Sequence, residues 1–530
     1  MPDTTWRVPA SAIAFTLLIG TTLWALDRLA RHEFTIHLRD QAARALAVAA
    51  TGATPYEWRF HTADDIVAGH PFGNAAFAFA DGVLQVRGAR DPFEIGLPLA
   101  RPVDLQRFPQ FRIALESESP GEVRVVTRTR LDSSENISEP IAFGPGRHDL
   151  IHDIGSLAGP SAIPPAAIAR LRGSAMLRLR FFLAAPGALS LHEVSLHRAT
   201  SEIPLDINRG ARIVDPGTAA STDNIDVFRL PYSAQKQQSD IAFIAAYPRD
   251  GDPPLVLLPE RGRVEQQIAL RDAVYAALPA AILIPESAFD QTFELARALA
   301  AAPPSAVPAS TRWHFVALFA CFLALARLLP PRNARWRALL EIFLTLAVPV
   351  WLIAGGDINS RATQQALIAL TLTYAVSLAW PPTWRLNGSA HAWFCAGAVV
   401  ALAFLIGIAL SATGSHAPAP GIGHVARYLA WALLQQYLIC AVCTGRWLIV
   451  TGSNALAVYL GALGFALLHT PNAALMLATF IGGLCWCAIY LRYRTLLPLA
   501  VSHAASAILL SALLPADIIH SAEVSVRFFQ

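Results

Sequence analysis

The sequence is poor in charged residues, and lysine is almost absent from it. Charged residues make up 15% of the 530 positions, and Lys236 is the single lysine. An ordinary soluble domain has about 25% charged residues. Hydrophobic residues make up 54%, and the mean hydropathy is +0.43. This composition argues against a purely cytosolic enzyme and against a disordered chain. A net charge of +3 gives no indication of a nucleic-acid partner.

Cysteine is missing from the polar region between about residues 30 and 312. All six cysteines follow residue 312 (Cys321, Cys395, Cys440, Cys443, Cys485 and Cys487). The polar region therefore has no disulfide framework. The close pairs at 440/443 and 485/487 have spacings that suggest a metal site, but both lie within apolar runs, where cysteine behaves as a small hydrophobic residue. We expect no metal and no other cofactor.

Long apolar segments are abundant and predict membrane helices. Residues 10–26 are almost all apolar or small, Arg7 precedes them, and no small-residue cleavage site follows. We interpret this segment as an uncleaved signal anchor, with a cleaved signal peptide as the alternative. Eight further spans are predicted near 313–329, 339–355, 364–380, 391–411, 427–445, 453–469, 473–490 and 496–514.

Arginines between the predicted spans fix an orientation. They fall in alternate connections: a cluster at 327–337, then Arg385, then Arg446, then Arg492 with Arg494. The positive-inside rule makes these connections cytoplasmic. The N-terminus then lies inside, and residues 31–312 and the tail at 515–530 lie outside. The chain is predicted to be a multi-pass protein of the inner (cytoplasmic) membrane.

The outer region divides near residue 203. Residues 31–203 are predicted to form a β-sandwich, because apolar residues alternate with polar ones and turn residues separate the runs. The alternating residues are Leu84/Val86, Phe93/Ile95/Leu97/Leu99, Phe111/Ile113/Leu115, Val123/Val125, Leu177/Leu179/Phe181 and Leu189/Leu191. The region resembles jelly-roll carbohydrate-binding modules, but no ligand residue matches a motif. The region is either a purely structural module or a domain that contacts carbohydrate or the cell envelope.

Residues 204–299 are predicted to form a small α/β domain. Residues 241–246 and 255–258 have the pattern of buried strands, residues 263–278 that of an amphipathic helix, and residues 281–284 that of another strand. We expect Glu265 and Asp272 on the polar helix face to be solvated charges. A Pro/Ala linker at 300–312 leads to the membrane domain at 313–514.

Three polar insertions interrupt the last four apolar segments. They are Gln435-Gln436, His469 four residues after Phe465, and His503. Polar groups inside a membrane are costly, so they usually face a bundle interior or a cavity. Two histidines and a glutamine pair on nearby helices therefore predict a shared polar pocket, although a single histidine can also be a packing residue. We expect Gln436, His469 and His503 to approach within one water's reach.

These insertions resemble the CAAX-protease and bacteriocin-processing (CPBP, or Abi) family of intramembrane proteases. The family has a Glu-Glu-x-x-x-Arg helix, then Phe-x-x-x-His, then a histidine followed four residues on by Asn or Asp. Phe465 and His469 match the second motif in full, within context that includes Asn472, Gly482-Gly483 and Pro498 before His503. The resemblance covers about residues 390–514. It implies catalysis by Gln435, Gln436, His469 and His503, with Phe465 and Asn472 in support.

The sequence departs from the family at three positions. Gln435-Gln436 replaces the two glutamates, Cys440 stands where the arginine is expected, and Ala507 follows His503 by four. An amide cannot accept a proton usefully near neutral pH. Glu341 and Asp357 are the other carboxylates of the membrane domain before the tail, and we expect both at helix ends.

Two functions therefore compete. One is an intramembrane endopeptidase with a diverged site, in which His469 or His503 serves as the base and the substrate is a membrane-anchored protein or peptide. The other is an inactive relative that binds a membrane segment or displays the outer domains as a scaffold. A transporter is the weaker third class, because no internal repeat or charged pathway is evident.

Overall fold

The computed structural model describes most of the chain between residues 10 and 524. The segments outside the description are 1–9, 53, 55, 88–91, 100–102, 104, 106–107, 129–134, 154–175, 199–203, 217–223, 232–233, 247–252, 302–308, 354–360, 379–383, 412–421, 515–523 and 525–530. Most of the predicted linker, nearly all of the predicted tail and Asp357 therefore lie outside the described residues.

Helix α1 (Ala10–Thr51) is much longer than the anchor predicted at 10–26. Its deeply buried residues recur every four positions and so share one helical face. They include Leu26, Ala30, Phe34, Leu38, Ala42 and Leu46. The predicted lower bound of the β-sandwich at residue 31 is therefore wrong, because residues 31–51 continue the same helix.

A β-rich region follows α1. Its strands are β1 (Glu57–Arg59), β2 (Ala76–Ala80), β3 (Val83–Arg87), β4 (Phe93–Leu97), β5 (Gln110–Ser117), β6 (Gly121–Arg128), β7 (Asn136–Ile137), β8 (Ile141–Phe143), β9 (Gly146–Asp153), β10 (Met176–Leu183) and β11 (Ala188–His197). One antiparallel sheet has the order β2-β3-β11-β5-β9, with β1 beside β11. The other has the order β4-β10-β6-β7, with β8 beside β6.

The two antiparallel sheets contribute to one hydrophobic core. Within β5, Ile113 and Leu115 are buried while Arg112 and Glu116 face outward, as the period of two predicts. Leu84, Val125 and Leu179 represent other strands in the same cluster. The chain therefore has a β-rich region where strands were predicted, and its arrangement as a jelly-roll-like sandwich stays a prediction.

The next region is built on a parallel sheet. Its strands are β12 (Ala211–Val214), β13 (Ile225–Arg229), β14 (Leu255–Leu258) and β15 (Ile282–Pro285), in that spatial order. Its helices are α2 (Ala234–Ala246), α3 (Val264–Ala277) and α4 (Phe289–Ala301). The strand predicted at 241–246 is wrong, because Ile241 and Ile244 are the buried residues of α2 and their spacing of three is helical.

The C-terminal half of α1 belongs to the core of this α/β region. Phe34 and Leu38 pack in one cluster with residues of α3 and the sheet. Ala43 and Leu46 pack in a second cluster with α4 and the opposite sheet face. A single continuous helix thus joins the α/β region to the membrane half of the chain.

Helices occupy the predicted membrane half. They are α5 (Ala309–Leu328), α6 (Ala334–Ile353), α7 (Arg361–Leu378), α8 (Ala390–Leu410), α9 (Ile422–Gln436), α10 (Gly445–Thr451), α11 (Asn454–Leu467), α12 (Ala473–Tyr493) and α13 (Leu497–Leu513). A π-helical segment (Tyr437–Thr444) joins α9 to α10 without a break.

Four helical stretches among the described residues are long and apolar enough to cross a membrane. They are Ala334–Ile353, Ala390–Leu410, Val425–Thr451 and Ala473–Tyr493; three shorter apolar helices cover 314–328, 454–467 and 497–513. The chain is therefore a multi-pass membrane protein, and the count of nine spans stays a prediction.

Candidate active site

Gln436 is the last residue of α9 and is 1% exposed. Its amide nitrogen Nε2 lies 3.3 Å from Nδ1 of His503. Its oxygen Oε1 accepts a hydrogen bond from the Cys440 thiol at 3.1 Å. The thiol at the family's arginine position therefore fixes which end of the amide faces the histidine.

The π-helical segment begins directly after Gln436. Thr444 donates its hydroxyl hydrogen to the carbonyl oxygen of Ile439 at 2.8 Å, five residues back. π-Helical turns are rare and frequently occur at functional sites, because the wider turn changes the direction of neighbouring side chains. Here the segment separates Gln436 from Arg446, which lies beyond its far end.

His503 lies on α13 and is 4% exposed. Aromatic rings surround its imidazole: the Trp486 ring centroid is 4.8 Å away, that of Phe465 is 5.5 Å away and that of Tyr428 is 6.2 Å away. Trp486 donates its Nε1 hydrogen to Ser502, whose hydroxyl in turn bonds to a carbonyl oxygen of α8. The imidazole is therefore held in one orientation.

His469 lies in the turn after α11. Its Nδ1 is 2.8 Å from the carbonyl oxygen of Phe465. A carbonyl oxygen can only accept, so Nδ1 carries the hydrogen and Nε2 keeps a lone pair. The Phe465 ring stands edge-on to both imidazoles, at 5.0 Å from His469 and 5.5 Å from His503. This explains the four-residue spacing of the Phe-x-x-x-His motif.

Asn472 supports the site from a distance. It is fully buried, and its side-chain oxygen accepts the backbone N–H of Leu475 at 3.1 Å. It therefore caps the N-terminus of α12 and fixes where the His469 turn ends.

A cavity of about 1180 Å³ lies beside these residues, and His469 and His503 line it whereas Gln436 does not. Gln435, His469, Trp486, His503 and Ala507 line it, and most of the other lining residues are apolar side chains of α6, α7, α8, α9, α12 and α13. The volume exceeds the roughly 300–1,000 Å³ of small-molecule pockets. Since Ala507 lines the wall where the family has Asn or Asp, that position adds no polar group.

Two charged residues on the cavity wall, and a third that pairs with one of them, were not predicted as part of the site. Asp27 of α1 and Arg263, which precedes α3, both line the cavity. Glu265 accepts the backbone N–H of Ala474 at 3.3 Å, and the Arg263 Nε lies 3.3 Å from its other oxygen. No local motif marks these residues, because they lie some 200 to 440 positions before the histidine motif.

The expectation that Glu265 is a solvated charge is wrong. Its side chain is fully buried, whereas Asp272 on the same helix is 46% exposed and pairs with Arg271. Glu265 is buried because α3 rests its N-terminal end on the first turn of α12. A carboxylate there interacts favourably with the positive end of the α12 dipole.

Glu341 is not placed to replace the missing glutamate. It pairs with Arg446 at 2.8 Å, and Arg446 also donates to the carbonyl oxygen of Leu378. Glu341 does not line the cavity. Within the described residues, no group of three or more His, Cys, Asp or Glu side chains is arranged to hold a metal ion.

Comparison with known proteins identifies one segment. The family model described as Type II CAAX prenyl endopeptidase Rce1-like matches residues 425–509, which include Gln436, His469 and His503. The resemblance to the CAAX-protease family is therefore confirmed for this segment. A search of curated proteins found no match.

Solved structures are similar to other parts of the chain only weakly. The structure of PfGH50B is 13% identical, with 31% of this chain and 28% of that chain covered and a TM-score of 0.22. The present chain thus spans little more than a quarter of that protein. A structure of a family 29 carbohydrate-binding module is 11% identical, with 28% and 97% covered and a TM-score of 0.19. At these TM-scores the likeness supports no argument about function.

Proposed function

We propose that the protein is an intramembrane endopeptidase that cleaves a membrane-associated protein or peptide inside the cavity. The observation that carries the proposal is the contact between Gln436 and His503 at 3.3 Å in the segment that matches the Rce1-like model. A buried amide held against an imidazole, with a second imidazole across one phenyl ring, is an arrangement suited to orienting water and a carbonyl group.

The hydrogen positions assign different tasks to the two histidines. Gln436 donates to Nδ1 of His503, so the hydrogen of the neutral imidazole is on Nε2, from where it can polarise a peptide carbonyl oxygen. His469 has a lone pair on Nε2 and can accept a proton from water. The pair therefore supplies one donor and one acceptor without a carboxylate from the first motif.

The cavity favours an apolar, membrane-anchored substrate. Its walls are largely aliphatic and aromatic, and the charged residues that line it are Asp27 and Arg263. A hydrophobic peptide segment would bury its side chains there and keep its polar end toward water. The identity of the substrate does not follow from these residues.

The first experiment measures cleavage of a membrane-anchored reporter by the full chain in liposomes. Gln436→Glu restores the family's acid next to His503 and should raise the rate about 10²- to 10⁴-fold, the range of a positioned general base. Gln435→Glu restores the family's other acid, on the cavity wall but without the hydrogen bond to His503 that Gln436 makes, so the two variants together show which position supplies the base. No cleavage by either wild type or Gln436→Glu, in folded protein, argues for the inactive relative.

We place residues 31–312 outside the cytoplasmic membrane. The arginine pattern supports this placement, since alternate connections between helices carry the arginines. Reporter fusions after Thr200 and Gly388 should report opposite sides of the membrane. The same side for both would contradict the nine-helix topology.

An inactive relative that acts through its outer region is the second candidate. A polar groove of about 700 Å³ on the six-stranded sheet favours it. Arg59, Arg112 and Arg147 line the groove with His61, His148 and His192. A bulge between Leu191 and Glu193 turns His192 outward, and its buried Nε2 has no hydrogen-bond partner among the described residues.

This groove fits a polyhydroxylated ligand of the cell envelope, because Asp81, Asp149 and Glu193 also line it and Arg112 pairs with Asp149. Guanidinium and imidazole groups bind hydroxyl, carboxylate and phosphate oxygens. Cosedimentation with insoluble cell-wall polysaccharide should therefore be lost in His192→Ala and retained in His197→Ala, whose ring bonds to Ser195 outside the groove. Equal cosedimentation of the two variants would remove the groove from consideration.

A further inference from the structure

The proposed reaction leaves a positive charge in an apolar cavity. When His469 accepts a proton from water it becomes an imidazolium, and an uncompensated charge in such surroundings is costly. The first motif supplies amides rather than carboxylates, so the counter-charge has to come from another element. Among the described residues that line the cavity, Asp27 is the one acidic side chain.

Helix packing places the residues on either side of Asp27 in the same apolar cluster as the residues that flank the His469 turn. Leu26 and Ala30 pack in one cluster with Ala466 and Ala473, which lie on either side of that turn in sequence. The hydroxyl groups of Thr22 on α1 and Tyr459 on α11 are 2.8 Å apart, at earlier positions in both helices.

The two helices run in the same direction, because later residues of α1 meet later residues of α11. Asp27 is five residues beyond Thr22, which corresponds to a rise of about 7.5 Å along α1. The same rise from Tyr459 reaches the last turn of α11, near Phe465. The carbonyl oxygen of Phe465 holds the His469 ring at that level.

The charges on and beside the cavity wall are largely paired. Arg31 Nη2 lies 2.5 Å from Oδ2 of Asp27, and both side chains are about one-quarter exposed. Arg263 pairs with Glu265 at 3.3 Å. With Arg263, the other titratable groups among the described residues that line the cavity are His503, Tyr428 and Cys485. In the part of the chain that is described, Oδ1 of Asp27 has no hydrogen-bond partner.

We propose that Asp27 is a positioning residue for His469, whose imidazolium form it stabilises across the cavity. The catalytic consequence rests on the proposed function. Water oxygen bonds to the peptide carbonyl carbon while its proton moves to Nε2 of His469. The C–N bond then breaks as His469 returns that proton to the leaving nitrogen. Asp27 takes no part in the proton transfers, and no oxidant, reductant or further reactant is needed.

The test compares Asp27→Asn with wild type in the full chain. The variant should lower kcat at least about ten-fold with little change in KM, because the charge it removes acts on the transition state. The acidic limb of the pH profile should move to lower pH, since the imidazolium loses its counter-charge. Arg31→Gln should move that limb to higher pH, and Asp27→Glu should restore most of kcat. Asp40→Asn is the matched control on the same helix, because Asp40 pairs with Arg39 and does not line the cavity.

A second readout does not depend on cleavage. Diethyl pyrocarbonate modifies the neutral imidazole, so the pH dependence of modification at residue 469, followed by mass spectrometry, reports when His469 is protonated. Asp27→Asn should shift that midpoint to lower pH. A shift without any cleavage by wild type would refute the proposed function and retain the charge coupling. An unchanged midpoint, or an unchanged acidic limb, would overturn the role of Asp27.

Discussion

The β-rich region and the α/β region differ in how they are tied to the membrane half of the chain. The core of the β-rich region runs from Tyr56 to Leu196 and contains no residue of α1. The cores of the α/β region include residues of α1, and its helix α3 touches the first turn of α12 through Glu265. One region is self-contained, and the other is built onto the membrane helices.

The ends of the β-rich region support this difference. The backbone N–H of Leu196 donates to Tyr56 at 2.9 Å, so the first and last strands meet. The backbone N–H of Leu205 donates to the carbonyl oxygen of Ala49 at 3.0 Å. After the β-rich region the chain therefore returns to the C-terminal end of α1. The β-rich region is thus an insertion between α1 and the α/β region, and changes within it should not reach the cavity.

The largest expected contrast is between two buried phenylalanines. Phe34→Ala removes a ring from the core shared by α1 and α3, and Phe111→Ala removes one from the β-rich core. Each should destabilise its own region by about 3–5 kcal/mol. We expect Phe34→Ala to slow reporter cleavage and Phe111→Ala to leave it unchanged. Hydrogen-exchange mass spectrometry locates the loss of protection, and an equal slowing by both variants would contradict the contrast.

Glu265→Ala should have a smaller effect, confined to the contact between the two halves. It leaves the Ala474 N–H and Arg263 without the carboxylate, at a cost of about 1–3 kcal/mol. Hydrogen exchange should rise in the first turn of α12. Asp272→Ala is the matched control on α3, since its side chain is half exposed. If hydrogen exchange in α12 does not change, the Glu265 contact contributes nothing to the packing of α3 against α12.

The last effect appears only at acid pH and concerns the stability of the α/β region. Burial, with the positive charges of Arg271 and Arg44, lowers the pKa of His37 from 6.5 to about 4. The folded form then binds fewer protons than the unfolded form between these values. The stabilisation is therefore complete above about pH 6.5 and is lost as the pH falls toward 4, by at most about 3 kcal/mol. His37→Gln should flatten the pH dependence of hydrogen exchange in β12 to β15; an unaltered dependence would refute this assignment.

The sequence predicted the features that rest on short periods. Alternation at Ile113 and Leu115 gave strands, and apolar runs gave the helices of the membrane half, each within a few residues. The polar residues that interrupt the apolar runs, Gln435-Gln436, His469 and His503, gave the prediction of a shared pocket. In each case the residues that form the feature are near one another in the chain or follow a regular repeat.

The features that were missed depend on contacts across long separations. The helix over residues 31–51 depends on the α/β region, which covers the face of α1 that carries Phe34 and Leu38. Glu265 carries the pattern of a surface helix, and the α12 N-terminus that buries it lies about 210 residues away. Asp27 follows the anchor segment with nothing to connect it to His469. A single sequence carries no local signal for such pairs.

The most direct test of the account is cleavage of the membrane-anchored reporter by His469→Ala and by His503→Ala. His391→Ala is the matched control, because that histidine is exposed at the start of α8 and does not line the cavity. We expect wild type and His391→Ala to cleave at the same rate. His469→Ala and His503→Ala should each lose cleavage while remaining folded. Cleavage that survives both substitutions would contradict the assignment of catalysis to this cavity.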